Sequence, residues 1–207
     1  MATATHIRID RTKAVIEWQW DSVTRTLANP DPNYDPIQFT VHIDTSTDDG
    51  QYRAHFEIDI PFRFKDKPTG ASVVLRINPL WIKSFCFANN HEPSGTVKEV
   101  FNSAVTFLDF ELSSEITVLI PDDVQNPVSV SRGRSGQILD LLYELSRVTA
   151  FRIYIQDDFS SLDGLNCISI AAEQRQIEPF SDASYGISEM FEGNGAKPVD
   201  IPMPPPP

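Results

Sequence analysis

Two runs of alternating side chains constrain the fold of this chain more than any other feature. Ile37, Phe39, Val41 and Ile43 alternate with Gln38, Thr40, His42 and Asp44. Tyr52, Ala54, Phe56, Ile58 and Ile60 alternate with Arg53, His55, Glu57 and Asp59. A period of two sends one set of side chains to a core and the other to water. The polar stretch between the runs, Thr45 to Gln51, contains Gly50. The runs are therefore expected to pair as an antiparallel hairpin with one buried face. Pro61 marks the expected end of the second strand, because proline has no N–H for a ladder.

The same pattern recurs along the chain. Ala14, Ile16, Trp18 and Trp20 alternate with Val15, Glu17, Gln19 and Asp21. Further strands are expected from Val73 to Asn78, Trp81 to Phe87, Val105 to Leu112, Ile116 to Ile120, Phe151 to Ile155 and Leu165 to Ile170. One segment differs. Ile138, Leu139, Leu141, Leu142, Leu145 and Val148 recur at helical spacing, with Asp140, Glu144 and Arg147 off that face. This predicts a late helix over about 136–148, with Ser135 as its N-cap. The expected fold is mainly β, an antiparallel β-sandwich or curved sheet with one late α-helix. One helix is too few for a doubly wound parallel sheet.

Near residue 173 the chain turns acidic and proline-rich, ending Ile201-Pro-Met-Pro-Pro-Pro-Pro. Such a composition buries little apolar surface against its ordering entropy. The expected organisation is one β-rich domain over 1–172 and a flexible, disordered tail over 173–207. Within the tail, Tyr185, Ile187, Met190 and Phe191 form a short acidic-hydrophobic segment that could fold onto a partner. Pro204, Pro205, Pro206 and Pro207 suit an aromatic-lined, polyproline-binding groove.

Charge narrows the partners. Lys and Arg number 17 against 29 Asp and Glu, a net charge of −12. Phosphate backbones and anionic membrane surfaces are repelled by such a chain, so neither nucleic acid nor membrane is expected as a partner. Two cysteines without CxxC spacing offer neither a disulfide framework nor a zinc motif. The opening residues lack a basic stretch followed by an apolar one. The expected location is intracellular, cytoplasmic or nuclear.

Several groups could carry chemistry. Asp44, Asp48 and Asp49 share one turn, Asp122 and Asp123 another, and Asp157, Asp158 and Asp163 a third. Converging carboxylates could hold calcium, as loops do in C2-like lipid-binding domains. Aspartate is equally a turn residue that bonds its own backbone. At the expected helix entrance stand Arg132, Arg134, Ser135 and Gly136. A helix N-terminus with arginines beside it can hold an anion, and Ser135, three places after Arg132, suits phosphorylation. His42 and His55 fall on the polar sides of the hairpin, as exposed strand histidines within reach of each other and of Glu57 or Asp59. Cys86 and Cys167 read as small buried hydrophobes, and Trp18 and Trp20 as core. No G-x-S-x-G elbow or phosphate-binding G-x-x-x-x-G-K motif is present, and no cofactor is implied. The expectation is a non-catalytic protein-binding or scaffold module with its tail as a tether. The alternatives are an accessory N-terminal domain of a larger multidomain enzyme and a calcium-dependent C2-like domain.

Overall fold

A computed structural model describes residues 6–45, 52–66, 71–130, 133–157 and 162–204. Its strands are β1 (His6–Trp20), β2 (Val23–Leu27), β3 (Gln38–Asp44), β4 (Tyr52–Phe62), β5 (Ala71–Ile77), β6 (Ile82–His91), β7 (Val105–Leu112), β8 (Thr117–Pro121), β9 (Ala150–Gln156), β10 (Ile177–Pro179) and β11 (Ala196–Pro198). The helices are α1 (Gly95–Val100), α2 (Arg134–Leu145) and α3 (Leu162–Glu173), and Met190–Gly193 is a tight turn with Phe191 and Glu192 at positive φ. The strand order is β11-β8-β5-β4-β3-β1-β9-β7-β6, with β10 beside β4 and β2 beside β1. All of these pairings are antiparallel except β10 with β4. The protein is mainly β, and its sheet is open rather than closed into a barrel.

One long strand turns the sheet over on itself. The front of β1 pairs with β3, and its back half, Ala14 to Trp18, pairs with β9. Between Ile9 and Thr12 the register slips by one residue, with Arg11 at φ 55°. Ile7 is buried before this bulge, and Ala14, Ile16 and Trp18 after it. The apolar parity thus changes from odd to even. Without the additional residue, every side chain beyond it would face the wrong way. The strand can therefore serve both layers while keeping its oily face inward. The layers meet at phenylalanines: the Phe56 ring lies 5.3 Å from Phe110 and 6.2 Å from Phe85. At the far end of β1, Asp21 and Ser22 have φ of 49° and 64°. Positive φ at both central residues is the requirement of a type I′ hairpin, which joins β1 to β2.

The expected hairpin forms with His42 directly opposite His55. β4 runs one residue past Pro61 because β5 still flanks it there. The late helix also forms, but it begins at Arg134 with Gly133 as N-cap, not at Ser135. Gly133 holds φ 110° and ψ −142°, open to glycine but not to a side-chain-bearing residue, so the chain turns there.

Leu165 to Ile170, expected as a strand, belongs to α3. Leu165, Ile168, Ala171 and Ala172 are buried at helical spacing, whereas Ile170 is 56% exposed. A strand would have placed Ile170 on the same face as Ile168. The helix protects β6, the last strand in the order: Ser169 Oγ donates to the Phe85 carbonyl at 2.7 Å. Unpaired edge carbonyls of this kind otherwise invite strand addition.

The segment after residue 172 is not a free tail. β10 lies along Tyr52 to Ala54 of β4, a stretch β5 does not reach, and β11 pairs with β8. Ile177, Val199 and Ile201 are buried in the same core as Ile7 and Phe56. The acidic, proline-rich average conceals these isolated anchors, and each docks where the sheet leaves an edge or pocket for it. Residue 172 lies inside α3, which runs to Glu173. Pro205, Pro206 and Pro207 lie outside the described residues.

Candidate functional site

Two polar clusters are built on the sheet, and they differ in how completely their groups are paired. The first covers the outer face of β1, β3, β4 and β5. His42 Nε2 lies 2.7 Å from Asp10 Oδ1, and His42 Nδ1 lies 2.9 Å from the Tyr185 hydroxyl. An ionised carboxylate only accepts, so the hydrogen-bond chain assigns the ring proton to Nε2. Tyr185 then donates to Nδ1. The hydrogen bond from His42 holds the Asp10 carboxyl below its usual range, with help from Arg8. Burial lowers the His42 pKa, with Asp10 opposing.

Beside this chain, His55 Nε2 lies 3.3 Å from Glu57 Oε2, and Arg76 pairs with Glu57 Oε1 at 2.5 Å. Burial pushes the Glu57 carboxyl up, but His55 and Arg76 outweigh it and hold it low. The Tyr185 ring lies 4.8 Å from His55 and stacks on Phe180 at 4.6 Å. Arg76 also reaches the Met190 sulfur at 3.1 Å. A Tyr–His–Asp chain has the order of a proton relay. Here burial raises the Tyr185 phenol, and neither cavity described below includes any residue of the chain. The cluster clasps the C-terminal segment to the sheet. His42 is only 6% exposed, contrary to expectation, because that segment lies over it.

Tyr185, Met190 and Phe191, expected to reach for a partner, instead engage the protein's own sheet. Met190 and Phe191 pack against the cluster of Val74, Leu119 and Ala196. Ile187 remains 45% exposed and Pro204 is partly buried.

The acidic turns are dispersed. β3, β4, β5 and β8 alternate in direction, so Asp44 and Asp122, which lie at or just past the ends of β3 and β8, stand at opposite ends of the sheet. Both carboxylate oxygens of Asp157 are engaged. One accepts from Thr106 Oγ1 at 2.9 Å and the other from the Asn90 N–H at 3.0 Å. Asn90, at φ 54°, sits in a bulge of β6 that this carboxylate secures. The Asp122 carbonyl accepts from Lys197 Nζ at 2.7 Å. Asp44 and Asp123 also have partners. Asp48, Asp49 and Asp158 lie outside the described residues, as does the side chain of Asp163. Among the described residues, no three His, Cys, Asp or Glu side chains are grouped to hold a metal ion.

The second polar cluster lines a cavity of about 1030 Å³. It forms because β3 begins at Gln38, opposite Asp59, while β4 continues to Phe62 beside β5 alone. The 28–37 loop and the start of α2 wall the space that β3 leaves. Arg11, Asn29, Tyr34, Asp59, Arg63 and Arg134 line it, and Ser135 stands beside Arg134. Asn29 Nδ2 donates to the Asp35 carbonyl at 2.6 Å, which ties the loop down. Asn29 is 8% exposed, and its Oδ1 has no hydrogen-bond partner among the described residues. Burial raises the Asp59 carboxyl, although Arg11 at 3.6 Å and Ser72 oppose the shift. The Arg134 guanidinium sits 4.3 Å over the Tyr34 ring.

Arg63 and Arg134 have no carboxylate partner among the described residues, whereas Arg8, Arg25, Arg76 and Arg152 each pair with an acid. The sequence pointed to Arg134, Ser135 and Gly136. It missed Arg11, Asn29, Asp59 and Arg63, which are scattered along the chain and meet only where β3 stops. Arg132 lies outside the described residues.

A second, smaller cavity of about 660 Å³ opens beside α1, lined by Asn90, Glu92 and Lys98 among others. Cys86 is exposed rather than buried. Its strand presents it outward, 3.8 Å from Asp109, and burial and that carboxylate raise its thiol pKa. Trp18 is core as expected, and Trp20 packs edge-on to Tyr143 at 6.2 Å. Among the described residues, no helix is long and apolar enough to cross a membrane. Comparison with family models, with curated proteins and with solved structures gives no match for this chain.

Proposed function

We propose that this chain is a non-catalytic binding module that receives a segment of another protein in the cavity beside α2. The observation that carries this reading is the cavity itself, walled by Arg63 and Arg134, neither of which has a carboxylate partner among the described residues. A concave site with a few convergent polar groups is the usual form of a ligand pocket. The cavity volume of about 1030 Å³ is at the upper end of that class. Cys86 and Cys167, both unbonded thiols, suit work in a reducing compartment such as cytoplasm or nucleus. The net charge of −12 argues against nucleic acid as the partner.

Site-specific photo-crosslinking on the full chain tests the reading. A photoreactive residue replacing Tyr34, 45% exposed at the cavity wall, is expected to capture a specific partner from a cell extract. The same probe at Leu80, 62% exposed and outside the cavity, should not. Equal capture at both positions, or capture at neither, would sink the proposal.

A further inference from the structure

We propose that residues 180–194 form a lid over the outer face of the sheet, tethered at both ends, which opens on mild acidification with protonation of His42 as its trigger. The device is separate from the cavity beside α2, none of whose lining residues comes from this segment. The anchors are firm. Ile177 before the lid and Ala196 and Val199 after it are buried, in β10 on β4 and along β8. Between them the seating is light: from Phe180 to Asn194 every residue is exposed or only partly buried. The backbone N–H groups bond within the segment, Tyr185 to the Asp182 carbonyl, Gly186 to Ala183, Glu189 to Gly186 and Asn194 to Phe191. Phe191 and Glu192 hold φ of 52° and 61°, a left-handed conformation that is costly for residues with side chains and that opening relieves. The lid meets the sheet through Tyr185 on His42 and His55, and through Met190 and Phe191 on the patch of Val74 and Leu119. Segments with few buried apolar contacts are the first to open in a folded protein.

Acid acts at His42. Under the lid its neutral ring uses both nitrogens, donating from Nε2 to Asp10 and accepting at Nδ1 from Tyr185. A proton added at Nδ1 meets the Tyr185 O–H already aimed there, so the hydroxyl must turn away. The new charge also has little to offset it. Asp10 is 53% exposed, where water screens it, and it is shared with Arg8 at 2.9 Å. The groups facing His42 are Asp10 and Arg8 from β1, His55 from β4 and Tyr185 from the lid. Arg8 and His55 oppose the cation, and Asp44, on β3 itself, stands opposite Arg53. Opening returns the ring to water, where it titrates at its ordinary 6.5, whereas burial under the closed lid holds it lower. The open form therefore takes the proton first, and its share grows as the pH falls through that window. Asp10 and Glu57, both held low, add to the effect only at more acidic pH.

Thiol labelling of the full chain tests the lid. Val74→Cys places a thiol in the patch beneath Met190 and Phe191, where residue 74 is 5% exposed. Val23→Cys, at a position 51% exposed and away from the lid, supplies the reference rate at each pH. Labelling by a small thiol reagent is read at residues 74 and 23 by peptide mass, which sets the native cysteines aside. The rate at residue 74, divided by that at residue 23, is expected to rise about three- to tenfold from about pH 7.5 to about pH 5.5. His42→Gln, which still offers Asp10 a donor but does not titrate, should flatten the rise. Arg8→Gln, at an exposed position, frees Asp10 to support the cation and should make the rise shallower. Thermal melting of each variant at neutral pH checks that it folds. A flat ratio in the parent, or a rise of the same size in His42→Gln, would overturn the proposal. Should His42→Gln fail to fold, Arg8→Gln decides alone, and a rise equal to the parent's overturns it.

Discussion

The clasp over β3 and β4 and the cavity beside α2 are built from similar residue types on the same sheet, yet they are finished differently. In the clasp, Asp10, His42 and Tyr185 form a closed chain, and Glu57 is held by both His55 and Arg76. In the cavity, Arg63 and Arg134 have no carboxylate partner among the described residues. A polar cluster closed on itself stabilises a fold. One left open gives up stability and makes sense where something else completes it. The presence of histidine, tyrosine and aspartate together is therefore a poorer guide to function than the pairing state of each group.

Four measurements can break or sharpen this contrast. The largest effect should come from deleting residues 177–204. That removes the burial of Ile177, Val199 and Ile201, at about 1.5–3 kcal/mol each. The loss is comparable to the whole stability of a typical domain, roughly 5–15 kcal/mol. The shortened chain should show no cooperative thermal transition by circular dichroism. A transition like the parent's would mean the segment is not structural after all.

Next come the clasp residues. Tyr185→Phe leaves the buried His42 Nδ1 without its donor, and Arg76→Gln weakens the hold on Glu57. Each should cost about 1–3 kcal/mol in urea unfolding, with faster amide exchange in β10 and β11. Unchanged urea midpoints would show that the clasp is incidental.

The third measurement is acid titration. The folded His42 pKa lies below its ordinary 6.5, so the unfolded chain binds the proton first. Stability should be full above pH 6.5 and fall as the pH drops below it. The depressed Asp10 and Glu57 add losses of the same sign at lower pH. Asp59, raised, works in the opposite direction and partly offsets them. In Tyr185→Phe, His42 should be better hydrated and the loss near pH 6 shallower. A stability that rises on acidification from pH 7 to 5 would contradict the buried, neutral His42.

The smallest effect belongs to the cavity. Arg63→Gln and Arg134→Gln should change unfolding stability by no more than about 0.5 kcal/mol, since neither breaks an ion pair. A loss as large as that of Arg76→Gln would mean these guanidinium groups are structural and the contrast false.

Strands were the most legible part of the molecule. Val105 to Leu112 was readable to the residue, because a period of two repeats over enough positions to exclude a helix. The apolar run at Leu165 to Ile170 was too short for that test, and tertiary burial of Leu165, Ile168 and Ala171 decided for a helix. The anchors of the C-terminal segment were hidden for a related reason. Single apolar residues between prolines and acids carry no period, and their value depends on an edge of β4 or β8 being free. The cavity was half legible: glycine and arginine at the start of α2 marked one wall, and nothing local marked the other.

Side-chain alternation and one helical stripe determined that this chain would be mainly antiparallel β with α2 late in the sequence, because those periods act between near neighbours. Tertiary structure alone decided that Arg11, Asn29, Arg63 and Arg134 share a cavity and that Tyr185 seals His42. Those meetings depend on where β3 ends and where the sheet leaves an edge unpaired, which are properties of strands brought together from distant parts of the chain.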